Sequence, residues 1–326
     1  MRRRHLIGLI AASCPLASAA LAQQAASRRP RVVWLGVLSA DTIDPRQIEE
    51  FRKGLAENGL FDGETADVQY LWAGGSVERL NRLAAEIVHS DADVIVTAGP
   101  QPVRALLAAG ATQPIVMAVA SDAVESGLVK SLASPDGPVT GLSISNTDLE
   151  ARRIELLKEL VPSLGRVLVL HDPSMAAEGL EAARQAAATL GIEALVVEAA
   201  DPAAFGSIFA AAVADRADGV STMASPFFNY NRESLIALAA RHRLPSMWES
   251  AVYVRDGGLA SYGPSFPDMF RRSAGYVARL LKGARPAELP IEQPTAFDLV
   301  LNRSTADRLG LVIPPDLLAR AAEVVE

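Results

Sequence analysis

"SVERLNRLAAEIVHSDADVIVTAGPQPVRALLAAGATQPIVMAVAS", Ser76 to Ser121, changes periodicity in a way that decides the fold. Val77, Leu80, Leu83, Ala84, Ile87 and Val88 fall at helical spacing on one face. "ADVIVTAG" is a short continuous apolar run, the pattern of a strand buried on both sides. "PQPVRALLAAG" then reads as a helix that opens on proline, and "PIVMAVAS" as another buried strand. Helix and strand alternate, and the strands have no polar face. That combination predicts a parallel sheet covered by helices on both sides.

The same unit extends in both directions. Upstream, "RVVWLGVLS" and "ADVQYLWAG" read as strands around the helix "DPRQIEEFRKGLAENGL", with Asp44 as N-cap and Pro45 at its first position. Downstream of "VTGLSIS" the alternation starts again, with helices at "LEARRIELLKELV", "SMAAEGLEAARQAAATLG", "PAAFGSIFAAAVADRA" and "RESLIALAARHR". Between them lie the strands "RVLVLHD", "EALVVEAA", "DGVSTMAS" and "LPSMWES". The tail breaks the rhythm with the strand "GGLASYGPS", the helix "FPDMFRRSAGYVARLLKG", the extended "LPIEQPTAFDLVLN" and two short closing helices. A chain of about 300 residues beyond its leader exceeds one comfortable core and suits two α/β domains. The expectation is two sheets of four or five strands, with a chain that crosses between lobes more than once.

The leader is read from "MRRR", a basic start, the apolar "HLIGLIAASCPLASA", and Ala20-Leu21-Ala22 before Gln23. This is the pattern of a secretory signal peptide (residues 1–22), cleaved after Ala22 to leave a periplasmic protein. Arg3-Arg4 partly resembles a twin-arginine signal, and Cys14 raises a lipoprotein alternative, although Ala11 stands where a lipobox wants Leu. Loss of Arg2, Arg3 and Arg4 with the leader takes the formal net charge from −7 to −10. An acidic chain argues against nucleic acid as a partner. Cys14 is the only cysteine, so the mature chain has neither disulfides nor a thiol nucleophile.

Catalytic signatures are scarce. His89, His171 and His242 do not pair at ligand spacing, which leaves no metal site and no metal cofactor to expect. GxGxxG, GxxxxGK[ST] and GxSxG are missing, so neither a nucleotide cofactor nor serine hydrolase chemistry is implied. What the pattern offers instead is a set of polar strand ends. In open parallel sheets, ligands bind in the crevice beyond those ends. The candidate ligand-binding residues are Ser39, Gly99, Ser121 and Asp122 in the first half and His171, Asp172, Ser225 and Glu249 in the second. Phe227, in "SPFFNYNR", follows a strand end and could stack on a flat ligand or plug the core. Several of these residues are equally good helix caps.

Four segments, "SDAVESGLVKSLASPDGPVTGLS", "IELLKELVPSLGRVLVLHDP", "GGLASYGPSFPDMFRRSAGYVARLLKGARPAELPIEQPTAFDLVLN" and "LGLVIPPDLLARAAEVVE", resemble the ABC transporter substrate-binding protein family that includes tryptophan-binding types. The resemblance spans essentially the whole mature chain. It implies a type I periplasmic binding protein, α/β throughout, with two parallel-sheet lobes joined by three crossing segments near Leu142–Ser145, Ala251–Gly258 and Gln293–Asp298. Lobe 1 would be 30–143 with 256–292, and lobe 2 would be 144–255 with 293–326. The implied function is a monomeric, non-enzymatic receptor that traps a small organic solute, an amino acid or aromatic acid, and delivers it to a membrane permease. Three other classes share features with it. A ligand-sensing module for a signalling partner would use the same fold and site. An extracytoplasmic enzyme would need a nucleophile–base pair, and a repressor would need a DNA-binding helix where the leader stands.

Overall fold

The computed structural model describes residues 28–175 and 178–326; the expected leader and its cleavage site lie outside them. The first lobe begins with β1 (Arg31–Gly36), α1 (Pro45–Glu57), β2 (Asp67–Trp72), α2 (Val77–Val88), β3 (Val94–Ala98), α3 (Pro100–Ala108), β4 (Ile115–Ser121) and β5 (Val139–Ile144). Its five strands run parallel in the order β2-β1-β3-β4-β5. Val33, Leu35, Ile95 and Met117 face one apolar cluster, while Val32, Trp34, Val96 and Val116 face another. Both sheet faces are therefore buried, as the unbroken apolar runs require.

The second lobe continues with α4 (Asn146–Leu160), β6 (Arg166–His171), α5 (Glu178–Thr189), β7 (Glu193–Glu198), α6 (Phe205–Ala214), β8 (Gly219–Thr222), α7 (Pro226–Tyr230), α8 (Arg232–Arg241), β9 (Ser246–Trp248), α9 (Ala251–Arg255) and β10 (Ala260–Pro264). Then α10 (Phe266–Leu281) returns to the first lobe and packs along α1. The chain ends with β11 (Phe297–Asn302), α11 (Arg303–Leu309), α12 (Pro315–Arg320) and β12 (Glu323–Val325) in the second lobe. The second sheet has the order β12-β11-β10-β9-β8-β6-β7, and β11 is antiparallel to β10.

The architecture is the expected pair of parallel-sheet α/β lobes, with three details changed. β10 joins the second sheet beside β9, so the middle crossing falls at Ser265, between β10 and α10, rather than near Ala251–Gly258. The second sheet has seven strands rather than five, because the last residues pair with β11 instead of extending a helix. A short helix, α7, occupies "PFFNY". Local pattern identifies a strand but not its partner, which is fixed by tertiary pairing. The other crossings lie at Ser145 and along residues 293–296, where Glu292 pairs with the edge of β5 through Ser143 N–H at 2.9 Å and Gly141 C=O at 3.0 Å.

Candidate functional site

In the first sheet the strand order reverses at β1, which has β2 on one side and β3 on the other, so a crevice opens beyond the ends of β1 and β3. A cavity sits there, lined by Gly36 and Val37 after β1, Gly99 and Pro100 after β3, and Ser121 at the end of β4. The second lobe faces it with Ser225 and Pro226 after β8, Asn229 on α7, and Glu249 after β9. A cavity thus lies between the carboxyl ends of both sheets.

One wall is aromatic. Trp34 and Trp72 come from neighbouring strands β1 and β2, and Phe266 and Phe270 from α10, which packs on the same lobe. Trp34 is held between Phe51 at 5.0 Å and Phe270 at 5.1 Å between ring centroids. Gly36 is needed for this wall, because a Cβ there would stand 2.5 Å from the Trp72 ring. Gly99 adopts φ +90°, a conformation that side chains disfavour, and a Cβ would meet Pro226 of the opposite lobe at 3.2 Å.

Two residues that line this cavity each carry a buried polar atom with no protein hydrogen-bond partner: Trp34 Nε1, a donor from lobe 1, and Glu249 Oε2, an acceptor from lobe 2. Buried polar groups are normally paired, so orphans of opposite kind around one cavity point to a polar ligand. Glu249 is 4% exposed, and burial pushes its carboxyl up to about 8, with Arg153 opposing the shift and Glu150 adding to it. The Ser225 backbone N–H donates to the same carboxyl. Helix N-termini offer less to an anion than their number suggests. Pro100 and Pro102 remove two N–H groups from the first turn of α3, and Ser225 Oγ already accepts the Phe227 N–H at 3.0 Å in α7.

Gly99, Ser121, Ser225 and Glu249 are thus brought together around one cavity. Five other candidates are placed elsewhere. Ser39 bonds Thr42 through its hydroxyl, in a turn beside the cavity. Asp122 is buried one residue behind Ser121, its backbone N–H donating to Ile144 C=O at 2.8 Å. His171 is buried at the end of β6 away from the lining, with Nδ1 unpartnered by protein. Asp172 accepts from Ser225 Oγ at 2.5 Å and Ser174 N–H at 2.9 Å, so it braces a lining residue from behind. Phe227 packs on Phe205 at 5.8 Å and Phe228 at 5.5 Å, and its free side faces a neighbouring groove at the cleft mouth beside Asp172 and Tyr230.

The lobes touch around the cavity. Arg232 Nη1 donates to Thr42 C=O at 2.6 Å, and Arg255 Nη1 lies 3.5 Å from Asp44 Oδ2, the cap of α1. At the mouth, Arg104 Nη1 reaches Ser174 C=O at 3.4 Å. Among the described residues, no group of three or more His, Cys, Asp or Glu could hold a metal ion, and no helix is long and apolar enough to cross a membrane.

Similarities to known proteins follow this geometry. A tyrosine-binding protein of Clostridioides difficile is 23% identical over 270 residues, covering 80% of this chain and 75% of that protein. A conserved domain protein from Vibrio cholerae superposes with a TM-score of 0.83 at 27% identity, covering 91% of this chain and all of that one. An ABC domain from Streptococcus pneumoniae, solved in complex with L-Trp, gives a TM-score of 0.84 at 22% identity over the same shares. The two lobes are those of the type I periplasmic-binding-protein fold. The sequence profile of ABC transporter substrate binding proteins matches residues 35–325, and the chain belongs to that family.

Proposed function

We propose that this protein is an extracytoplasmic receptor of an ABC importer, which traps an aromatic amino acid between its lobes and passes it to a membrane permease. The observation that carries this reading is the pairing of an aromatic wall with two orphaned polar atoms, Trp34 Nε1 and Glu249 Oε2, from opposite lobes. A flat apolar side chain fits against Trp34, Trp72 and Phe270. An ammonium group fits Glu249, and Ser121, Gln47 and Asn229 supply further hydrogen bonds. A sugar carries hydroxyls round the edge of its ring, each of which would need its own polar partner, and each unpaired polar group costs about 1–3 kcal/mol. The L-Trp complex and the tyrosine-binding relative support the same ligand class. Export through the leader, action as a monomer and release of the ligand chemically intact complete the reading.

The test is a thermal-shift and calorimetric comparison of L-tryptophan and L-tyrosine with glucose, ribose and aliphatic amino acids. Saturation at 100 times Kd adds about 2.7 kcal/mol of stability, a readily measured shift. Stabilisation by sugars alone would refute the aromatic reading, and turnover of the bound amino acid would refute the receptor reading.

A further inference from the structure

Beside the cavity, two buried carboxylates lie in the field of one buried guanidinium. Glu150 and Arg153, both on α4, are 1% exposed and lie 2.5 Å apart through Glu150 Oε1 and Arg153 Nη1. Arg153 Nε is occupied by Tyr262 C=O at 2.8 Å. Glu249 is the second carboxylate, reaching the cavity from lobe 2 with Oε2 unpartnered by protein. The other charged or titratable groups around this cluster are Tyr253 on α9, Arg232 on α8 and Asp122 at the end of β4, with Asp44, Arg255, Asp298 and Glu323 lining a second pocket that Glu249 also borders. Tyr253 is neutral, since burial holds its hydroxyl well above the ordinary value. Arg232 is engaged by Asp256 at 2.6 Å, and Asp122 adds negative field at Glu150. Arg153 is ion-paired with Glu150, which leaves an ionised Glu249 only the Ser225 N–H and the field of Arg153 to offset its buried charge.

We propose that Glu249 recognises the ligand's ammonium group and gives up a proton as it does so, making capture an exchange of cation for proton. This deepens the aromatic amino acid reading and rests on it. In the free protein the carboxyl is neutral near pH 7, because burial holds it up to about 8. The arriving ammonium keeps its three protons, the Glu249 O–H bond breaks, and the proton leaves to solvent. The resulting ion pair replaces the missing partner of Oε2, and opposite charge stabilises the ionised form. Aromatic acids that lack the amine leave Glu249 protonated and gain no ion pair with it, so they bind less tightly.

Calorimetry of the full mature chain with L-tryptophan at pH 7, in phosphate, HEPES and Tris, counts the protons. Because these buffers differ in ionisation enthalpy, about one proton released per ligand should appear as a linear dependence of heat on buffer. Affinity should rise about tenfold per pH unit between pH 5.5 and 7.5. Glu249→Gln should abolish the release, flatten the pH profile and weaken L-tryptophan roughly ten- to hundredfold. Indole-3-propionate, which lacks the amine, should bind either protein weakly and without proton exchange. The count on the parent protein needs no variant, so a poorly folding Gln variant leaves the test intact. L-Tryptophan binding with no proton exchanged, or release that persists in Glu249→Gln, overturns the proposal alone. If neither L-tryptophan nor L-tyrosine binds, the ligand reading falls and this proposal falls with it.

Discussion

Replacing Arg232 with Met should weaken ligand capture without unfolding the protein. The guanidinium makes two main contacts: Nε to Asp256 Oδ2 at 2.6 Å, and Nη1 to Thr42 C=O at 2.6 Å. Asp256 belongs to the same lobe, so that ion pair persists when the lobes part and cancels from the closing equilibrium. Thr42 lies on the other lobe, so its bond exists only when the lobes meet. A hydrogen bond to a charged donor contributes about 1.5–3 kcal/mol, and Met retains most of the apolar stem. If the closed form is the minor ligand-free state, the whole loss passes into apparent affinity, roughly ten- to hundredfold. Calorimetry with L-tryptophan reads the affinity, and small-angle scattering reads the lobes, with a larger radius expected for the variant at subsaturating ligand. Urea melts should move by only about 1 kcal/mol, because Asp256 is partly exposed and rehydrates. An unchanged Kd and scattering profile would show that the Arg232–Thr42 bond does not contribute to capture.

Trp34→Phe keeps an aromatic wall but removes the orphaned N–H, so L-tryptophan affinity should fall by about 0.5–1.5 kcal/mol, up to roughly tenfold; calorimetry showing no loss would remove Trp34 Nε1 from the ligand's partners. Gly99→Ala forces a side chain into φ +90° and against Pro226, so urea melts should show a loss of about 1–2 kcal/mol, with weaker binding alongside it. Glu249 also makes ligand-free stability depend on pH. Its folded value, about 8, lies above the ordinary carboxyl value. The folded state therefore holds the proton more tightly, and the contribution is complete at acid pH and lost as pH rises toward 8. Urea melts of the ligand-free parent should decline between pH 5 and 8 by more than those of Glu249→Gln, and equal slopes would contradict this.

The fold was largely legible because strands such as "VIVTA" and "IVMAV" have no polar face, and only a sheet covered on both sides accepts them. The partner of β10 was not legible: "ASYGP" fits either lobe by pattern, and its place depends on contacts with β9 and β11 made far along the chain. The last strand was hidden for a similar reason, since "AAEVVE" can continue a helix until an edge partner is supplied. At the candidate site, the rule of carboxyl ends picked out Gly99, Ser121, Ser225 and Glu249, which line the cavity, but could not rank residues by depth. Asp172 and Asp122 fit the rule equally well, yet one braces Ser225 and the other lies behind the lining. Trp34 and Trp72 were absorbed into the strands as core residues. Their signal was compositional: aromatics make up only 5% of the chain, and two of its three tryptophans stand on the first two strands.

The division of labour between the lobes gives the cleft its logic. Trp34, Trp72, Phe266 and Phe270 all pack with the first sheet, while Ser225, Asn229 and Glu249 belong to the second. The first lobe alone would offer an aromatic surface to any flat apolar solute, with little to orient it. The second alone would offer a neutral carboxyl with no reason to ionise. Under the capture reading, an aromatic amino acid satisfies both only when the lobes meet around it, and then Thr42 and Asp44 also come within reach of Arg232 and Arg255. Ligand contacts and lobe contacts therefore reinforce each other in a single closed state. The differential affinity for that state is the quantity that shifts its population, and a solute supplying only the ring or only the amine forfeits part of it. On that reading, selectivity would follow from closure as much as from the shape of the pocket.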